Sequence, residues 1–182
     1  IVVKNGNAYP MGNAYTKLDK GDYYFLERFL DSTKANLFFA NGVILVEGDA
    51  ENILLPTIAK LIGKNLSNYG VSIVNVGSVA FLRYSKIFLR QLEPHFNVPV
   101  AVITDVDVKP YESKVKIKDD VSGTEREMTK DEVETDRTST ILAKNTKYND
   151  EKVKSFIAPY WTLEYTIALS CLSKLFYQAV YI

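Results

Sequence analysis

Acidic side chains stand where two apolar runs end. In "GVILVEGDAENILLP" the run Val43–Val46 meets Glu47, then Gly48, Asp49 and Glu51, and in "VPVAVITDVDV" a second run meets Asp105 and Asp107. Continuous β-prone apolar runs of this length read as buried strands. A period of two along an extended strand would put Asp105 and Asp107 on one side. Glu51, four residues after Glu47, would rise from the first turn of a following helix above the same edge. Glu164, in "WTLEYTIAL", occupies the matching place after a further strand, beside Thr162. In open α/β sheets ligands gather at the carboxyl ends of the strands, so carboxylates from three strand ends would converge. Such a cluster repels itself in a partly desolvated cleft, and a divalent cation removes that cost. Donor sets made only of oxygen select hard ions, Mg²⁺ first, then Mn²⁺ or Ca²⁺. Two ions about 4 Å apart would stabilise both the attacking and the leaving oxygen of a phosphodiester displacement. The backbone N–H groups after Gly48 would add a place for a phosphate oxygen, and Gly48 would permit a tight strand-to-helix turn.

Other residues are better read as structural. Asp49 taken alone is an ordinary acid of a first helical turn. Arg83, Lys86 and Arg90 fall at i, i+3 and i+7 of an expected helix and would form one basic stripe, a solvated face before it is a track for DNA. Lys109, next to the two aspartates, is the better phosphate contact by position. Lys114, Lys116 and Lys118 alternate and are balanced by Asp119 and Asp120, which suggests a charged hairpin. His95 has no second histidine to join it and reads as surface, Cys171 as buried packing, and Trp161 as core or a wall of the site. None of the 12 tyrosines has the setting of a strand-transfer nucleophile.

The elements that must position these acids follow from the pattern. Residues 1–20 lack a sustained period and read as a connector. Helical spacing follows in "DYYFLERFLDSTKANLFFANG", with Asp31 or Ser32 as an N-cap inside it. Strands are then expected at "VILVE", "VSIVNVG", "VPVAVITDVDV" and "KVKSFIAPYW". Helices are expected at "DAENILLPTIAKLIGKN", where Pro56 should distort or shorten the helix unless it falls near a start, at "SVAFLRYSKIFLRQLEPH" up to about Pro94, over Val133 to Ala143, and at "TLEYTIALSCLSKLFYQAVYI". Residues 108–132 interrupt this order with charge, as a loop or as a hairpin closing across Gly123. Strand–helix alternation of this kind predicts an α/β fold with a parallel four-stranded sheet, helices on both faces, and a charged insertion after the third strand.

The totals narrow the function classes. A chain of 182 residues with 47% hydrophobic residues builds a full core. Basic and acidic residues balance at 22 each, which argues against holding nucleic acid by bulk charge alone. One cysteine cannot close an internal disulfide, which suits a reducing, cytoplasmic setting. No apolar run approaches the ~20 residues that span a bilayer, so no membrane partner is expected. The absent initiator Met and the apolar last residues suggest a piece of a longer protein.

Taken together, strand-"EG"-helix followed by strand-"DxD" resembles the Toprim pattern of topoisomerases, bacterial primases and OLD (overcoming lysogenization defect) nucleases. The word "VEGDAE" with its extra Glu51, "DVDVKP" with Lys109 where topoisomerases and primases commonly place a third acid, "RFLDSTKANLFFANGVILVEG" and "WTLEYTIAL" are similar to the OLD family, including the nuclease subunit of Gabija phage-defence systems. The resemblance spans roughly Arg28 to Leu169. It implies a Toprim, Rossmann-like fold and a DNA endonuclease that uses two Mg²⁺ or Mn²⁺ ions, fused behind an ABC-type ATPase. Glu47, Glu51, Asp105, Asp107 and Glu164 would carry the metals, with Thr162 as a small hydroxyl residue beside them. By their positions, and not from the resemblance, Gly48, Lys109 and Arg83 are the candidate phosphate or DNA contacts. The resemblance also implies a lysine well after the T-L-E segment, at Lys174 or beyond Ile182, and a homodimer of the full protein. On this reading residues 1–40 connect to the upstream ATPase region and 41–182 form the nuclease domain. No G-x-x-x-x-G-K-[ST] occurs, so ATP would be used only upstream. The alternatives are a topoisomerase- or primase-type Toprim relative, or a non-catalytic scaffold or dimerisation segment of an ATPase.

Overall fold

A buried strand needs apolar side chains on both faces, and the run Gly42–Val46 has them: Val43, Leu45 and Val46 are almost wholly excluded from solvent. The computed structural model describes residues 1–29, 34, 36–77, 81–119 and 123–181. They divide into two compact units, Ile1–Ile103 with Tyr148–Phe156, and Thr104–Lys147 with Ile157–Ile182.

The first unit is built on a parallel four-stranded sheet. The chain forms β1 (Val2–Lys4), β2 (Asn7–Tyr9), α1 (Lys20–Phe29), α2 (Asn36–Phe39), β3 (Gly42–Val46), α3 (Asp49–Leu61), β4 (Val71–Asn75), α4 (Phe81–Lys86) and β5 (Val100–Thr104), and returns through β8 (Val153–Ile157). The order is β4-β3-β5-β8, flanked by helices. β3 and β5 lie inside the sheet and carry the continuous apolar runs, while the edge strands β4 and β8 are half exposed. In register, Val46 pairs with Asn75 on one side and Ile103 on the other. The core gathers Leu37, Val43, Leu45, Tyr84, Ile87, Val98, Val102 and Val153. Phe96 meets Tyr9 and Phe88 edge-on, with ring centroids 4.6 and 5.9 Å away.

Residues 1–20, without sequence periodicity, form part of this packing. β1 and β2 are joined by Asn5 and Gly6, both at positive φ, the Asn-Gly signature of a two-residue hairpin. Tyr9 and Leu18 enter the core. The same segment corrects the expected helix towards Pro94. α4 stops at Lys86, and Ile87, Phe88, Leu89 and Arg90 are all buried, which one helical face cannot achieve. Lys17 N donates to Leu89 O at 3.0 Å and Gln91 N to Tyr15 O at 2.9 Å, so the chain after the helix pairs with the N-terminal segment instead. The basic stripe is corrected with it: Arg90 lies outside the helix and is only 6% exposed. Pro56 does not shorten α3, which runs through it to Leu61. Asn52, whose carbonyl loses its partner at Pro56, is on the exposed side, where water can replace the bond. The expected start of α4 at Ser78 and the N-cap at Asp31 or Ser32 lie outside the described residues, as does Asp120.

The second unit follows β5. The charged insertion is a hairpin, β6 (Lys116–Lys118) against β7 (Glu125–Glu127), with Lys116 opposite Glu127 and Ile117 opposite Arg126. The helix expected over Val133 to Ala143 is longer, α5 (Lys130–Tyr148), of which residues up to Lys147 belong here. Thr129 and Glu132 form a reciprocal capping box at its start, with Thr129 N donating to Glu132 Oε2 at 2.8 Å and Glu132 N to Thr129 Oγ1 at 3.3 Å. The single last helix is corrected to two, α6 (Leu163–Leu169) and α7 (Ser173–Val180). Ser170 is extended there, and its hydroxyl accepts from Leu172 N at 3.1 Å and donates to Ile167 O at 2.7 Å, a local turn that competes with the helix. Cys171 in that break is exposed, against the expectation of a packing role. Among the described residues no helix is long and apolar enough to cross a membrane.

Candidate functional site

In the first unit the acids stand at the junction of β3 and α3. Glu47 follows the buried Val46 and is itself half buried. Gly48 is the N-cap of α3, with φ −132 and ψ 175. That is ordinary extended backbone, so the tight turn expected there does not itself require a glycine. Its reason is steric. A Cβ on Gly48 would meet Glu51 Oε2 at 2.9 Å, because the Glu51 side chain folds back over the start of its own helix. Glu51 is only 5% exposed, a carboxylate held at the positive end of the helix dipole. Asp49 accepts a hydrogen bond from Asn75 Nδ2 at 2.7 Å, while Asn75 Oδ1 accepts from Gly77 N at 3.0 Å. Asn75 closes β4 beside β3. The sequence reading missed it, although a polar residue ending the run "VSIVN" is the same kind of signal as Glu47.

In the second unit the acids stand on a turn rather than on a strand. β5 ends at Thr104, and Asp107 has φ 65, a left-handed conformation that Asp tolerates better than most residues. The alternation invoked for Asp105 and Asp107 therefore does not extend to them. Val106 between them is fully buried and anchors the turn. Asp105 Oδ1 accepts from Leu163 N at 2.8 Å, and Asp107 N donates to Trp161 O at 3.0 Å. Thr162 caps α6, its hydroxyl accepting from Tyr165 N at 3.2 Å. Asp105 and Thr162 thus meet at one helix start, with Glu164 exposed on its first turn. Lys144, on α5, donates from Nζ to Asp105 O at 2.6 Å and to Asp107 Oδ2 at 2.7 Å. Sequence reasoning missed Lys144, since nothing local links it to the turn. Lys109 is exposed beyond that turn. Trp161 packs its ring 5.9 Å from Tyr165.

Arg83 is occupied elsewhere: its Nε lies 3.4 Å from Asp22 Oδ1 and its guanidinium sits over the Phe25 ring, 4.6 Å from the centroid. Lys86 pairs with the same buried Asp22 at 2.6 Å. His95 is half exposed, 3.2 Å from Glu93. Among the described residues no three His, Cys, Asp or Glu side chains are gathered as a group that could hold a metal. Carboxylate oxygen, which the acids of each unit offer, is the donor that a hard divalent ion takes.

The family model for the Toprim domain of overcoming lysogenization defect protein-like proteins matches residues 38–107, the stretch from α2 through Asp107. Among solved structures, the C-terminal region of the Burkholderia pseudomallei OLD protein is 39% identical over 38% of this chain and 33% of its own, with a TM-score of 0.33. The C-terminal region of the Xanthomonas campestris pv. campestris OLD protein is 26% identical over 75% of this chain and 60% of its own, at 0.41. A mercury-phased structure of the same region is 25% identical over 79% and 63%, at 0.43. The chain thus spans between 33% and 63% of the length of these structures. No curated protein matches it.

Proposed function

We propose that this chain, which carries the Toprim domain of an OLD-family protein, is the hydrolytic part of a metal-dependent DNA endonuclease. The observation that carries the reading is the β3–β5 register. Val46 lies opposite Ile103, so the segments leading to Glu47 and to Asp105 leave neighbouring parallel strands at the same end, and the family match spans both. Glu47, Glu51, Asp105, Asp107, Thr162 and Glu164 would hold two Mg²⁺ or Mn²⁺ ions. Bound there, the ions would supply positive charge to the attacking and leaving oxygens of a phosphodiester.

The chain's own groups prepare for this. The amides that open α3 after Gly48 offer donors to a phosphate oxygen. Glu51 is held close to the backbone of Gly48, so little side-chain freedom remains to be lost. Asp105 spends one oxygen on the Leu163 amide, which fixes the orientation of the carboxylate. Lys109, exposed beyond the aspartate turn, would meet the DNA backbone, whereas Arg83 pairs with Asp22. In the same proposal residues 1–40, although they pack with the sheet in the first unit, lead in from an upstream ATPase region, 41–182 form the nuclease domain, and the full protein acts on DNA in the cytoplasm as a dimer.

A nicking assay on supercoiled plasmid with the full-length protein and Mg²⁺ or Mn²⁺ tests it. Metal-dependent nicking is expected, and Glu47→Ala or Asp105→Ala should lower the rate about a hundredfold or more. Cleavage untouched by both changes would overturn the site, and relaxed closed circles would move the protein to the topoisomerase class.

A further inference from the structure

We propose that Lys144 is a resident counter-ion of the aspartate turn: its ammonium holds Asp107 while no divalent ion is bound and yields that carboxylate when an ion arrives. The inference rests on the metal-binding reading above and names a residue which that reading does not include. Three observations within the second unit carry it. Lys144 Nζ makes two short contacts to one turn, 2.6 Å to the Asp105 carbonyl and 2.7 Å to Asp107 Oδ2. The lysine side chain is 20% exposed while that of Asp107 is 65% exposed, so the cation is sheltered and the carboxylate stays open to solvent. Asp107 also sits at φ 65 between the buried Val106 and the rest of the loop, with its N–H tied to Trp161 O, so its backbone is held independently of the ion pair.

The consequence is an exchange of cations. A divalent ion and the ammonium compete for the same carboxylate oxygen, and an ammonium is a compact charge that can stand in for the ion without closing the site. The Asp105 carbonyl keeps Lys144 at the turn after Asp107 is released, because that contact does not involve a carboxylate. A divalent ion must then displace the lysine from Asp107 and bind beside its charge. Both effects weaken metal binding, and both disappear when the charge is removed.

Mn²⁺ binding to the full-length protein, measured by titration calorimetry without DNA, tests this in wild type, Lys144→Met, Lys144→Arg and Asp107→Asn. Asparagine tolerates the left-handed backbone, so the last variant removes charge without straining the turn. Lys144→Met should bind Mn²⁺ at least about threefold more tightly, Lys144→Arg should not, and Asp107→Asn should bind it more weakly. A lysine that only supports the fold cannot produce tighter binding when removed. Unchanged or weaker binding in Lys144→Met, with thermal unfolding like that of wild type, would overturn the counter-ion role and leave the metal site standing. Should that variant unfold early, Lys144→Gln gives the same reading with a side chain that can still hydrogen-bond to the Asp105 carbonyl. A wild-type protein that does not bind Mn²⁺ would overturn the metal site, and the counter-ion role with it.

Discussion

At Gly48 the absence of one carbon decides where a carboxylate can be. Its backbone is extended and open to any residue, yet a Cβ would approach Glu51 Oε2 to 2.9 Å. The clashing atom is the far end of a flexible side chain, so Gly48→Ala would swing Glu51 aside rather than break the fold. The expected cost in stability is that of a poorer N-cap, about 0.5–1 kcal/mol, while on the proposed ligand set Mn²⁺ affinity should fall about tenfold. Thermal melting followed by circular dichroism, with metal titration on the same samples, separates the two; unchanged affinity would remove Glu51 from the ligand set. The word "VEGDAE" announced both residues, but not the reason that they go together. Lys144 was invisible for a related cause: its partners lie far away in the chain, and a helical lysine without a local acid looks like any solvated one.

The charged insertion owes its attachment to a second set of ion pairs. Arg126, on β7, lies beside Glu132 and Asp119, and Glu132 closes the capping box of α5. The Arg126 hydrogen bonds, then the Thr129 amide, hold the Glu132 carboxyl down at about 2 from its ordinary 4.5. A folded-state pKa below the unfolded one gives stability that is fully present above about pH 4.5 and is lost as pH falls towards 2. Amide hydrogen exchange over the first turns of α5 should therefore quicken between pH 4.5 and pH 2.5 beyond the intrinsic trend. Glu132→Gln should flatten that dependence; an unchanged profile would show that the pair does not hold the helix start. The hairpin was one of the two outcomes that "ESKVKIKDD" and "TEREMT" allowed, while the capping box in "TKDE" went unread although cap chemistry is local. The ends of α4 and α6 were not legible. Leu89 to Gln91 leave the helix to pair with Tyr15 to Lys17, and Ser170 turns the chain with its own hydroxyl.

Across the whole molecule, stability rests on the buried central strands. Leu45 on β3 and Val102 on β5 are fully excluded from solvent, so Leu45→Ala should cost about 2–5 kcal/mol, a large part of the 5–15 kcal/mol typical of a domain. Urea unfolding measures this directly, and a loss below about 1 kcal/mol would mean that the sheet centre is less tightly packed than described. What the amino-acid sequence determined by itself was the alternation of strands and helices, the parallel sheet, and the acids at strand ends. Each of these is written in short-range patterns: apolar runs, helical spacing, and a charge that stops a run. Tertiary structure alone decided that Asp107 leaves the strand for a left-handed turn, that Arg90 is buried while Cys171 is not, and that Lys144 reaches the aspartates. Those outcomes depend on which distant segments meet, and periodicity within one segment carries no information about its partner.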